Sequence, residues 1–382
     1  MIKIYKKEDC CGCYACKNIC PQNCIEMKCD NEGFEYPNIN NEKCINCGMC
    51  EKICPILNLD NIEKKNIKAY ACKNKNNKEV EKSSSGGVFI LLCKEVIKRN
   101  GVVFGATYDA EFNVVHDYSE NIDECNKFMG AKYVQSKIGN TFRQVKKFLE
   151  CDRTVLFSGT PCQISGLESF LQKKYEKLIL VDIVCHGVPS PLVYRKYINN
   201  LSKLNNSRIK SINFRDKSSG WDNYNFKVVF EEKIFKQKGS NNLYMKGFLS
   251  DIYLRPSCYT CEFKKPKSVA NITLGDYWGV KTKHPQFYDK KGVSLILIND
   301  KKGKDMIECI RAEIEIMESD YEYAIKCNPS IVKCVNVNAQ RNNFFEGLNE
   351  KNMEERIKKL TYIPITSKTK IIIKKILKKI IK

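Results

Sequence analysis

Apolar and polar positions follow two rhythms through the middle of the chain. Residues 102–108 and 113–117 alternate with the period of paired strands, while 88–98, 139–151 and 164–175 repeat at helical spacing. Residues 154–158 and 178–185 are short unbroken apolar runs on either side of the last helix, and each stops at a turn containing Gly or Pro. That pattern predicts a parallel βαβ unit of buried strands. In such sheets ligand sites gather beyond the carboxyl ends of the strands, and Cys162, Cys185 and His186 fall there. Further strands are predicted at 25–28, 33–39, 67–72, 209–214, 224–230, 272–274 and 293–298; from there to about residue 359 the pattern reads as mostly helical. The fold class expected is α+β or α/β, a small N-terminal module ahead of a mixed α/β domain.

Length and composition narrow the class. A chain of 382 residues holds about two or three domains. They are expected at 1–60, at 66–150 and 151–335 as two parts of one domain, and at 336–382 as a helical region with a basic tail. The 22 cysteines, with no apolar leader in the first residues, predict metal-bound or free thiols in a reducing cytoplasm. No apolar run is long enough to span a bilayer. The formal charge of +21 comes mostly from Lys and no nucleic-acid motif accompanies it. A solvated Lys-rich surface or a cleft attracting an anionic ligand is therefore expected, not nucleic-acid binding. In the tail, residues 371–382 set Ile and Leu at helical spacing between lysines. Such a basic amphipathic helix either makes a peripheral membrane contact or docks on protein.

One cysteine pattern occurs twice in the first 55 residues. Cys10, Cys13, Cys16 and Cys20 before Pro21, and Cys44, Cys47, Cys50 and Cys54 before Pro55, both read C-x2-C-x2-C-x3-C-P. Three thiolates so spaced bind three corners of an iron–sulfur cube, and the fourth, one helical turn on, ligates the other cluster. The assignment is crossed: Cys10, Cys13, Cys16 and Cys54 hold one [4Fe–4S] cluster, and Cys44, Cys47, Cys50 and Cys20 the other. Zinc sites use paired C-x2-C motifs instead of closed runs of three, and disulfides need an oxidising compartment. The module resembles a bacterial two-cluster ferredoxin.

The stretch Ser83-Ser84-Ser85-Gly86-Gly87 opens the helix at 88–98. Its hydroxyls and free backbone N–H groups, with the helix dipole, suit an anion; an ordinary N-cap explains the same residues. Later stretches resemble the beta subunit of coenzyme F420 hydrogenase/dehydrogenase, F420 being a deazaflavin. The resemblance rests on 83–87, on Gly130-Ala131-Lys132-Tyr133-Val134-Gln135-Ser136, on 157–163 and 181–190, and on Phe214-Arg215-Asp216-Lys217. The Cys258/Cys261 pair and Leu274-Gly275-Asp276-Tyr277-Trp278-Gly279 complete it. It runs from about residue 66 to 335 and implies FAD, at least one [4Fe–4S] cluster, and two-electron exchange with a deazaflavin or another organic substrate.

Chemistry supports the implied flavin. Cubanes move one electron at a time and most organic substrates exchange a hydride, so a group that does both is needed. FAD is expected at Ser84, Ser85, Gly86 and Gly87 and at Lys132, Gln135 and Ser136, with Lys132 on a phosphate and Ser136 or Gln135 on the ring. Cys162, Cys185, Cys258 and Cys261 are expected to converge on a third cluster; buried free thiols with an incidental turn, or a catalytic thiol, are the competing readings. Cys11 and Cys24, like the remaining cysteines, read as ordinary thiols. His186 is a candidate proton donor near neutral pH, or a residue that only shapes its turn. Asp182, Arg215, Asp276 and Trp278 read first as structural. The function expected is an iron–sulfur flavoprotein oxidoreductase passing electrons between its clusters, FAD and a deazaflavin or other organic substrate. Its alternatives are a non-catalytic electron-transfer subunit of a larger hydrogenase or dehydrogenase complex, or a reductase of a cell-surface sugar or other metabolite; a redox partner protein is also expected.

Overall fold

Alternation along three short apolar strands organises the molecule. In the computed structural model, which describes residues 1–59, 66–264, 268–349 and 352–361, the strands in chain order begin with β1 (Ile25–Cys29) and β2 (Glu35–Ile39), then β3 (Lys68–Asn74), β4 (Val102–Tyr108), β5 (Val114–Ser119), β6 (Val155–Gly159) and β7 (Leu178–Ile183). They continue with β8 (Ile209–Asp216), β9 (Asn225–Phe230), β10 (Ile234–Lys238), β11 (Ile272–Asp276), β12 (Ser294–Ile298) and β13 (Ile314–Ser319). Eight of them form one mixed sheet in the order β13-β3-β12-β11-β7-β6-β4-β5. Its centre, β11-β7-β6-β4, is parallel, with Gly159 opposite Asp182 and Thr273 opposite the same aspartate. Its flanks are antiparallel.

Successive residues of the central strands feed opposite faces, as the period of two requires. Val103, Leu156 and Ile179 pack beneath helix α1 (Val88–Lys98), with Leu91, Leu92 and Val96. Phe104, Phe157 and Leu180 pack on the other face against α2 (Thr141–Glu150) and α3 (Pro161–Leu171). The N-terminal module docks on that second face, where Cys11, Cys13, Tyr14 and Ala15 join the same core. Gly166 of α3 makes the approach possible, since a Cβ there would lie 2.7 Å from the Cβ of Cys13. The smaller sheet, β10-β9-β8, packs Phe214, Phe226 and Val228 with Tyr194 and Tyr197 of α4 (Pro191–Asn205).

Two buried arginines fasten the module. Arg255 donates from Nε to Cys10 O at 2.7 Å and from Nη2 to Glu35 O at 3.0 Å, and lies over the Tyr36 ring. Arg341 forks onto Glu32, at 3.0 and 2.6 Å, in the turn between β1 and β2. The α/β expectation holds. One correction concerns 314–319, inside the stretch read as helical. There Ile314 and Ile316 alternate with Glu315, and the segment is an edge strand on β3. Among the described residues no helix is long and apolar enough to cross a membrane. The basic tail at 371–382 lies outside the described residues.

Candidate functional site

The eight N-terminal cysteines ring two cavities. Left-handed Gly12 and Tyr14 (φ 67° and 66°) curl the first run so that Cys10, Cys13 and Cys16 line one cavity, with Cys54 opposite. Gly48 (φ 72°) does the same for Cys44, Cys47 and Cys50, which line the other together with Cys20. Burial raises the thiol pKa of Cys16 and Cys54, with repulsion from neighbouring cysteines adding to it. Thiols in that setting ionise only when a cation compensates, which bound iron supplies. Among the described residues no group of His, Cys, Asp and Glu side chains converges as a single metal ion requires. Two residues read as ordinary thiols stand in these walls. Cys24 lies 3.3 Å from Cys20, Sγ to Sγ, and Cys11 lines the first cavity beside its four cysteines. Both fall outside the C-x2-C spacing, so no sequence signal marks them.

A third cavity, of about 220 Å³, lies between the module and the carboxyl ends of β6 and β7. Cys162, at the start of α3, Cys185, just beyond β7, and the pair Cys258 and Cys261 all line it, and so does Cys11. Burial pushes the Cys185 thiol up to about 11 and Cys258 up to about 12. Lys264, buried and donating to His186 O at 2.9 Å, opposes the rise at Cys185. The Val188 N–H points at Cys258 Sγ, 3.4 Å away. His186 lines neither this cavity nor the larger one beside it. Its Nε2 is 2.7 Å from Asp251 Oδ1 and its ring meets Phe248 edge-on. Cys185 and Gly187 face the cavity; the residue between them in an extended turn faces away. His186 thus points away from both cavities and onto a carboxylate, which stands against its expected role as a proton donor there.

A larger cavity of about 280 Å³ opens beyond the carboxyl ends of β4, β6, β7 and β11. Ser84, Ser85, Gly87, Lys132 and Ser136 line it. Gly87 (φ 78°) caps α1, whose first residues Val88 and Phe89 face the same space. The Ser84 hydroxyl accepts from Ala131 N–H, which leaves its own proton to give. Ser85 donates to Val293 O at 3.0 Å. Gly86 sits behind the wall, where a Cβ would lie 2.5 Å from Cys72 O. Lys132 bonds three backbone carbonyls, with no carboxylate partner among the described residues, and burial lowers its ammonium to about 7. Gln135 is corrected. Its neighbours Val134 and Ser136 line the cavity, so its side chain leaves on the opposite side, donating to Cys11 O and accepting from Arg255. It couples to the cysteine loop.

Sequence reasoning missed His116. It lines the cavity from β5 with Nε2 2.9 Å from Ser158 O and Nδ1 3.0 Å from Ser136 Oγ, and burial holds its pKa down to about 4. The alternation of β5 places it inward beside Val114, which was the available signal. The four motif residues read as structural form contacts of that kind. Asp276 accepts from the Trp221 indole at 2.7 Å and pairs with Arg215, Trp278 stacks on Trp221, and Asp182 is buried, accepting from Ser268.

Known proteins fit this layout. Residues 9–57 match a 4Fe-4S dicluster domain, and residues 152–323 match the family described as the C terminus of the beta subunit of coenzyme F420 hydrogenase/dehydrogenase. The chain carries that beta-subunit domain behind a dicluster domain. The two matched stretches together mark iron–sulfur electron transfer joined to a region of oxidoreductase type. No curated protein matches the chain. A chain of the F420-reducing [NiFe] hydrogenase complex from Methanosarcina barkeri is similar at 15% identity and a TM-score of 0.47, over 72% of this chain and 91% of that one. Likeness at that level is too slight to speak to function. Within the matched stretch lie β6, β7, β11 and four of the five cysteines of the third cavity, Cys11 being the exception.

Proposed function

We propose that the chain is an iron–sulfur flavoprotein oxidoreductase, with FAD in the large cavity, a third [4Fe–4S] cluster on Cys162, Cys185, Cys258 and Cys261, and a deazaflavin or other organic two-electron substrate. The observation that carries the reading is the contiguity of the cavities. Asp9, Cys11 and Ile56 wall both the first cysteine cavity and the third, and Val188 walls both the third and the large one. The first cysteine cavity, the third and the large one thus border one another in turn through shared wall residues. A buried relay gains by that spacing, and four thiols gathered from three segments have little other use for it.

The large cavity fits a flavin by its donors and its walls. Lys132 has no carboxylate partner among the described residues, and a phosphate supplies an anion that restores its charge. The start of α1 adds N–H groups that the helix itself cannot bond. Phe89, Phe128, Met129 and Val134 offer apolar surface to a ring. A bound flavin supplies the conversion between single-electron and hydride transfer. The chain's own part is to bind and orient. Ser84 and Lys132 hold the anionic end, and Ser136 and His116 bring neutral hydrogen-bonding groups to the floor.

Anaerobic reconstitution with iron and flavin analysis tests the reading. About 12 iron atoms and one FAD per chain are expected, with the flavin bleached by reduced deazaflavin. Flavin that stays oxidised with the deazaflavin but bleaches with another two-electron donor moves the substrate elsewhere. Protein without flavin leaves only a ferredoxin-like relay, the non-catalytic subunit.

A further inference from the structure

One hydrogen-bonded line joins the large cavity to the third. It runs from His116 through Ser136, Gln163 and Thr160 to Cys162. Its polarity follows link by link from what each atom can do. The Ser158 carbonyl only accepts, so His116 Nε2 carries the ring proton across 2.9 Å. The buried ring is neutral, so Nδ1 accepts from the Ser136 hydroxyl at 3.0 Å. The Ser136 oxygen in turn accepts from Gln163 Nε2 at 2.9 Å, which turns Gln163 Oε1 toward Thr160. There Oε1 takes the Thr160 backbone N–H at 3.0 Å. Only the Thr160 hydroxyl is left with a choice: its oxygen lies 3.1 Å from Gln163 Oε1 and 3.2 Å from Cys162 Sγ, and it has one proton.

We propose that Thr160 is a redox-responsive positioning residue of the third cluster, its hydroxyl turning to Cys162 Sγ when the cluster is reduced and to Gln163 Oε1 when it is oxidised. This rests on the third-cluster reading above. An iron-bound Cys162 has no proton of its own and can only accept. Reduction adds negative charge to the cluster sulfurs and strengthens that acceptor, whereas Gln163 Oε1 is unchanged and already served by the Thr160 N–H. Hydrogen bonds to cluster sulfurs raise the reduction potential. No bond breaks. The hydroxyl rotates about its C–O bond, and the added electron comes from the adjoining ferredoxin cluster or, in the test, from dithionite. Gln163 and Ser136, the next members of the line, wall the large cavity.

The test is an EPR-monitored dithionite titration of the full chain, reconstituted anaerobically, as wild type, Thr160→Val, Thr160→Ser and Thr160→Gly. About 12 iron atoms per chain in the wild type support the cluster on which the proposal stands; about 8 overturn both. With iron at about 12 throughout, Val and Gly are expected to lower the midpoint of one cluster and leave the other two in place, while Ser keeps the wild-type value. Glycine is tolerated at a helix N-cap, so that variant separates loss of the hydroxyl from loss of the cap. Three unmoved midpoints in the Val and Gly variants overturn the role of Thr160 and leave the cluster standing.

Discussion

The N-terminal cysteine cavities and the third one hold the same side chains, but they are built in opposite ways. The first two draw eight cysteines from 45 consecutive residues, curled by left-handed Gly12, Tyr14 and Gly48. The third draws four from the start of α3, the end of β7 and a separate turn at 258–261, and exists only where those segments meet. A local site is written in spacing, and its geometry survives as long as its loop does. A site of distant segments is written in topology and shares the stability of the whole sheet.

The largest effect that tests this contrast is loss of a cluster. Cys258→Ser is expected to lower iron from about 12 to about 8 atoms per chain, with the EPR signals of the two ferredoxin clusters intact. In a urea series on the wild type, the third cluster's iron should leave first. Simultaneous loss of all iron would erase the distinction.

Next in size is the fastening between the regions. Arg341→Met leaves the buried Glu32 with only Lys7, 3.9 Å away and itself exposed, so the cost is expected below the about 3–5 kcal/mol of a buried charge left with no partner. The urea midpoint should fall, and the third cluster should become labile before the ferredoxin pair. A midpoint shift with all three clusters equally retained would mean that Arg341 stabilises the fold without holding the regions together.

The smallest effect sharpens the large cavity. With the ammonium of Lys132 lowered to about 7 by burial, the cavity without ligand is neutral there above that pH. A phosphate brings the proton back, so binding takes up a proton and weakens as pH rises. FAD affinity is expected to fall about tenfold per pH unit above 7 until the bound-state pKa is reached, and Lys132→Met should flatten the profile. The stability of the flavin-free chain has the opposite slope. The folded-state pKa lies below the unfolded value near 10.5, so the unfolded state holds more protons between about 7 and 10.5 and stability rises across that window. A flat affinity profile in the wild type would remove Lys132 from the phosphate site.

Much of this architecture was legible in the chain, for reasons the same contrast explains. Unbroken apolar strands around α3 and Gly or Pro turns at 159–161 and 187–189 mark where ligands gather, so Cys162 and Cys185 could be assigned to one edge. Residues whose role depends on which side of an irregular segment they face were not legible. Gln135 and His186 each lie between two cavity-facing neighbours and point away from them. Cys11 and Cys24 carry no spacing signal, because the chain reversal that brings them to the cavities lies in their neighbours. His116 needed the inward face of β5, and β13 was hidden in a stretch too polar to announce a strand.

The wall shared by Asp9, Cys11 and Ile56 has a consequence for biogenesis. On the proposed reading, the third cavity has a complete lining only after the N-terminal loop has closed on its own iron and docked. The ferredoxin clusters are then expected to load first and the buried one afterwards, which iron counts during stepwise anaerobic reconstitution would check. A cell short of iron would accumulate a partly loaded form with its relay interrupted at that wall.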